Sequence, residues 1–195
     1  MKTKKFSTYD IVIVGVMAAV CFATTVFLKI GPIPTPAGPT MIKMGNVFCL
    51  LAGLLFGGMR GGLAAGIGSA LYDLTDPLFV ADAPLTFIRF FLMAFICGII
   101  AHNRKHNGES NSVNILAAIA GSGFSLVFYA VKSITALVLE GSVLSAAIAA
   151  ASVKLTASSF NAVIAVIISV LIAPVCKKAL ERAGLGQKLF PQKAS

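Results

Sequence analysis

The chain has 195 residues, 57% of them hydrophobic and 12% charged, with a formal net charge of +9 and a mean hydropathy of +0.92. That balance excludes a water-soluble globular domain and makes lipid the solvent. It also sets nucleic acid aside as a partner, because the basic residues fall at helix ends and in short loops rather than on an aromatic-interleaved basic face.

A hydrocarbon core of about 30 Å takes roughly 20 apolar residues per helix, so the length predicts six short spans in an all-α bundle. Residues 1–9 form a cytoplasmic N-terminus, 10–175 the six-helix membrane domain and 176–195 a basic cytoplasmic tail. The first helix is predicted over Asp10–Lys29; its apolar run from Ile11 exceeds the core of a cleavable signal and reads as an uncleaved span. Four prolines within Gly31–Thr40 forbid helix and predict a stiff outer loop. A second helix over Met41–Phe56 turns at Gly57-Gly58-Met59-Arg60-Gly61-Gly62 into a short third helix that ends near Asp76. The fourth runs from Pro84, which suits a first helical turn, to Ala101. Residues 102–112 make a polar cytoplasmic loop, and the fifth helix covers Val113–Leu139. The sixth ends before Pro174, and its start within Val143–Ala151 is open between loop and helix.

Lys2, Lys4, Lys5, Arg60, Arg104, Lys105, Lys177, Lys178, Arg182, Lys188 and Lys193 fall on one side, while Asp76, Asp82 and Glu140 fall in the turns of the other. The positive-inside rule therefore predicts both termini in the cytoplasm.

Ionisable groups inside spans cost about 2.5–3.5 kcal/mol each near the bilayer centre, so their depth carries functional information. Lys43 and Asn46 open helix 2; Tyr72, Asp73 and Asp76 close helix 3; Arg89 lies in the second turn of helix 4. Ser125, Tyr129, Lys132 and Ala136 recur at helical spacing on helix 5, as do Lys154, Ser158 and Asn161 on helix 6. Turned inward, these stripes line a polar cavity in the outer half of the bundle. The alternative is that Asp73 or Asp76 pairs with Arg89 or a lysine only to neutralise buried charge. Lys43, Arg89, Lys132 and Lys154 are matched in number by Asp73, Asp76, Asp82 and Glu140, so local pairing decides the charge of any ligand. Tyr72, Tyr129 and phenylalanines such as Phe87 are available to stack on a flat ring.

Several chemistries fit poorly. Tyr72-Asp73 lacks a second aspartate in a Gly-x-Gly-Asp setting. Gly121-Ser122-Gly123 lacks a histidine nearby, because His102 and His106 belong to the cytoplasmic loop. Those two histidines have no further ligands, so no metal site is expected, and no cofactor either. The four cysteines show no CxxC pair and read as small packing residues. No Walker-type phosphate loop is present, so ATP-driven work requires a partner. On helix 1, Gly15, Ala19 and Ala23 at i, i+4 and i+8 present a small-residue face, suited to a partner helix or to packing within the bundle.

Over about Ile11–Pro174 the chain resembles the substrate-binding S components of energy-coupling factor (ECF) transporters, especially the riboflavin-type branch. The resemblance rests on Ala19 and Ala23 in helix 1, the proline-rich loop, Met44-Gly45-Asn46, Leu55-Phe56-Gly57-Gly58 through Arg60-Gly61-Gly62, Gly66-Ile67-Gly68-Ser69-Ala70-Leu71-Tyr72-Asp73-Leu74, and Ala83-Pro84-Leu85-Thr86-Phe87. It implies a multi-pass protein of a bacterial cell membrane that captures a vitamin-like small molecule: a flavin, a pyridine or pyrimidine vitamin, or a deazapurine precursor. It also implies docking, through the helix 1 face, on a transmembrane coupling subunit carrying two ATPases, with no ATPase site of its own. By the same resemblance Tyr129, Lys132, Lys154 and Ser158 contact ligand, with Asn46, Asp73 and Arg89 either joining them or bracing the fold. Thr35, Pro36 and Thr40 would belong to a gate. The rival from another class is a small membrane enzyme acting on lipid or isoprenoid head groups, for which no clustered Asp-x-x-Asp motif is found.

Overall fold

The computed structural model describes residues 7–103 and 108–184. Among these residues six α-helices form one bundle: α1 Thr8–Phe27, α2 Gly45–Phe56, α3 Gly58–Thr75, α4 Ala83–Ala101, α5 Asn111–Leu139 and α6 Leu144–Arg182. Between α1 and α2 lies an antiparallel two-stranded hairpin, β1 Lys29–Ile33 and β2 Thr40–Lys43. Lys2, Lys4, Lys5, Arg104, Lys105, Lys188 and Lys193, on which part of the orientation argument rests, lie outside the described residues, as does His106.

Among the described residues four helical segments are long and apolar enough to cross a membrane: Thr8–Phe27, Val80–Ala101, Asn111–Leu139 and Leu144–Arg182. The other two helices differ for identifiable reasons. At 12 residues, α2 is only about 18 Å long, because the chain preceding it is held as strand β2. The 18 residues of α3 are glycine-rich, and it serves as the hub of the bundle. A Cβ on Gly61 would lie 2.6 Å from the Ala52 carbonyl oxygen of α2, and one on Gly68 would lie 2.4 Å from the Ala18 carbonyl oxygen of α1. Toward α4, Gly58, Gly62 and Gly66 meet Phe95, Phe91 and Phe87, one turn apart on each helix. These glycines therefore serve packing against three helices rather than a helix 2–helix 3 hairpin alone.

The polyproline segment is an ordered hairpin, a correction to the purely loop-and-helix expectation. Lys29 pairs with Lys43 and Ile30 with Ile42; a register shift follows, and Ile33 pairs with Thr40. Pro32 sits within that irregular stretch of a two-stranded ribbon, where a missing donor is tolerated. At the tip, the Gly38 N–H donates to the Thr35 carbonyl at 2.9 Å, with Pro36 and Gly38 at the second and fourth turn positions that favour them. Lys29 and Lys43 accordingly belong to strands, not to the helices in which they were expected.

The ambiguous start of helix 6 is Leu144, and the helix does not stop before Pro174 but continues to Arg182. A mid-helix proline forfeits one backbone bond. Here Ser169, fully buried, and Ala173, 4% exposed, anchor the turn before Pro174, and Cys176 and Leu180 pack against the core after it, so packing carries the helix through. No break therefore separates residue 175 from the start of the expected tail.

Candidate functional site

The polar groups gather beneath the hairpin. Thr40, Met41 and Lys43 of the hairpin, Asn46 of α2, Asp73 of α3, Phe79 and Asp82 of the connection, Thr86, Arg89 and Phe90 of α4, Tyr129 of α5, and Ser158 and Asn161 of α6 enclose one cavity. Buried Asn46, Asp73, Ser158 and Asn161 are each at most 8% exposed. Below it, sharing Asn46, Arg89 and Ser158, is a smaller polar floor lined also by Ser122 and Ser125. The Arg89 Nε–H donates to Ser125 Oγ at 2.7 Å, while Asn46 Oδ1 and Ser122 Oγ are buried without a protein partner. Such groups suit a polar solute or ordered water, since leaving them unmet costs roughly 1–3 kcal/mol each.

Cations and aromatic rings alternate across the cavity. Lys43 Nζ lies 4.8 Å from the Phe90 ring centre, and the Arg89 guanidinium lies 5.1 Å from that ring and 4.2 Å from Tyr129. On the Tyr129 ring sits also Lys154 Nζ, at 5.4 Å. These contacts hold the cations by ring faces.

Three sets of bonds close the hairpin over the cavity. Lys154 Nζ donates to the Ala37 carbonyl at 3.0 Å. The Asn161 amide acts as a strand partner for β2, accepting from the Lys43 N–H at 3.0 Å and donating to the Met41 carbonyl at 2.8 Å. At the base, Lys29 Nζ donates to the Tyr72 hydroxyl at 2.6 Å, and that hydroxyl donates to Asp76 at 2.9 Å. The Tyr72 hydroxyl raises the Lys29 ammonium above its ordinary value against the opposing push of burial. At Asp76 burial pushes upward, but the Leu78 amide, the Tyr72 hydroxyl and Lys29 together hold the carboxyl below its usual range. In this shut arrangement the cavity leaves about 60 Å³ free, well short of the roughly 300–1,000 Å³ of pockets that hold drug-sized ligands.

Of the residues singled out in the sequence, Lys43, Asn46, Asp73, Arg89, Tyr129 and Ser158 share this cavity, with Thr40 at its rim. Three are engaged in other contacts. Tyr72 is engaged at the hairpin base, Lys132 is paired with Asp82, and Lys154 reaches the hairpin tip. Thr35 lies in that tip, where its hydroxyl donates to the Gly38 carbonyl at 2.6 Å, next to Pro36. Sequence reasoning missed Asp82 and Thr86 as wall residues, although with Arg89 they recur at i, i+4 and i+7; it also missed Phe79, Phe90, Ser122 and the base role of Lys29. On α1, Gly15 and Ala19 are exposed and Ala23 is half-buried. A Cβ on Gly15 would meet no atom within 4 Å, so this face lies outside the bundle packing.

A stretch of 52 residues is 40% identical to a Pyrococcus woesei protein described as "Uncharacterized protein in gap 3'region", covering 27% of this chain and 35% of that relative. The chain thus matches about a third of that relative's length. The family model of the ECF-type riboflavin transporter, S component, matches residues 5–181, a span that includes the hairpin, every wall of the cavity and the open face of α1. The chain belongs to that family of ECF transporter S components.

Proposed function

We propose that the chain is the substrate-capturing subunit of an ATP-driven importer in the cell membrane, binding a flat, vitamin-sized heterocycle beneath the hairpin. The observation that carries this reading is the roofed polar cavity with Arg89 and Tyr129 stacked in its wall. A ring of the ligand stacks on Tyr129 and Phe90, while Asn46, Asp73 and Arg89 supply one acceptor-rich and one donor-rich edge. Because about 60 Å³ is free, entry requires the hairpin to lift, releasing Lys154 from Ala37 and Asn161 from β2. The hairpin segment with Thr35, Pro36 and Thr40 is the gate.

Membership of the family supports the rest of the reading. Six spans with both termini inside put the hairpin on the outer side, and the open Gly15–Ala19–Ala23 face of α1 docks a transmembrane coupling subunit bearing two ATPases. Close helix approach at small residues suits such a surface.

Purification from cells grown in rich medium, followed by native mass spectrometry, tests the proposal. A retained heterocycle, lost or weakened at least tenfold in Arg89→Ala, is the expected result. A lipid head group retained in its place, or a heterocycle retained equally by Arg89→Ala, would refute this assignment of the cavity.

A further inference from the structure

Lys43, Arg89, Lys132 and Lys154 match Asp73, Asp76, Asp82 and Glu140 in number, but Lys29 adds a fifth base, and the contacts leave the two sets unbalanced. Asp76 is taken by Lys29 at 3.5 Å, Asp82 by Lys132, and Glu140 is exposed in the turn after α5. That leaves Lys43, Arg89 and Lys154 against Asp73. Three cations less one carboxylate is an excess of two positive charges. Among the described residues none of the three cations is in ion-pair contact with a carboxylate. Each is held by neutral groups instead: Arg89 by the Ser125 hydroxyl and two rings, Lys43 by the Phe90 ring, Lys154 by the Ala37 carbonyl and Tyr129. A ring face or a neutral acceptor stabilises a cation by less than burying it uncompensated costs. An anionic oxygen displaces such neutral partners readily, because charge-assisted hydrogen bonds are roughly twice as strong.

Resting on the capture reading above, we propose that the ligand is an anion: a heterocycle carrying a carboxylate or phosphate that binds at Arg89 and Lys154, the two cations in contact with the Tyr129 ring. Because Lys154 also holds the hairpin tip, the same anion competes with the Ala37 carbonyl and draws on the gate.

Thermal stabilisation of the full chain in detergent, with probes matched in ring and differing in charge, tests this. The pairs are riboflavin against flavin mononucleotide, for a phosphate, and nicotinamide against nicotinic acid, for a carboxylate. In whichever pair acts, the anionic member is expected to work at least tenfold lower concentration, and Arg89→Gln to bring that ratio close to one. A neutral member that works equally well or better overturns the inference. If neither pair acts, the choice of heterocycle fails, and the charge claim is read on the ligand-free protein. Lys43→Met, which removes one excess charge at nearly constant volume, then raises the thermal midpoint by a few degrees; an unchanged or lower midpoint sinks the claim.

Discussion

The end of the bundle beneath the hairpin and the end opposite it use the same helices under opposite rules. At the far end the helices close onto one another until backbones touch. A Cβ on Gly98 of α4 would stand 2.4 Å from the carbonyl carbon of Gly57 and the nitrogen of Gly58, and Leu50, Cys97, Ala101, Ala117 and Ala118 fill the interior without free surface. At the hairpin end polar side chains line a cavity between the helices, and a strand ribbon roofs it. The lesson is a division between an end that cannot deform and an end built from breakable polar bonds. Interiors packed at crystal density transmit strain and resist movement, whereas a few hydrogen bonds of about 1 kcal/mol net each can be exchanged for a ligand.

Substitutions separate the two ends by size of effect. Gly98→Ala places a methyl against backbone that has no room to move, so it should destabilise by about 1–3 kcal/mol or more, seen as a fall in melting temperature in detergent. An unchanged midpoint would mean that the far end is looser than its packing indicates. Asn161→Ala removes two bonds from β2 and should loosen the hairpin by about 1–2 kcal/mol, raising hydrogen exchange at the Lys43 amide while leaving the α3–α4 amides protected. If exchange rises equally at both ends, the division is wrong.

Smaller effects come from pH and from the bundle exterior. The folded pKa of Asp76 is depressed, so its contribution is present above the unfolded value of about 3.9 and is lost as pH falls through the lower folded one. Lys29 has a raised folded pKa, so its contribution is present below about 10.4 and is lost as pH rises past that. Protection factors of the hairpin amides, which are taken relative to intrinsic exchange at each pH, should therefore be flat from about pH 5 to 9 and fall beyond both limits; Tyr72→Phe should weaken both arms. Ala19→Leu changes an exposed site and should shift stability by no more than about 0.5 kcal/mol, with ligand binding intact. Uptake by the assembled transporter is where that variant should fail, and full uptake would remove α1 from the docking surface.

Helices were the most legible elements. The first turn of α4, with Pro84 near its start, and the end of α3 at Thr75 are close to where the sequence puts them. The hairpin was not legible, since the four prolines argue against helix but say nothing of which backbone pairs with Lys29–Ile33. Helix 6 misled because a proline ends a helix only when packing does not hold the next turn. Within the site, helical period brought Ser158 and Tyr129 to one cavity, while the strand position of Lys43 and the engagement of Lys132 and Lys154 required three-dimensional partners.

Composition and periodicity alone determined a lipid-embedded helical bundle with polar groups concentrated toward one end, because the cost of burying charge and backbone in hydrocarbon acts residue by residue. Tertiary structure alone decided which carboxylate neutralises which base, and hence that Lys43, Arg89 and Lys154 lie outside the ion pairs of Asp76 and Asp82. Pairing depends on distances between residues far apart in sequence: Lys29 with Asp76 and Lys132 with Asp82 meet only once the helices have packed and the hairpin has closed.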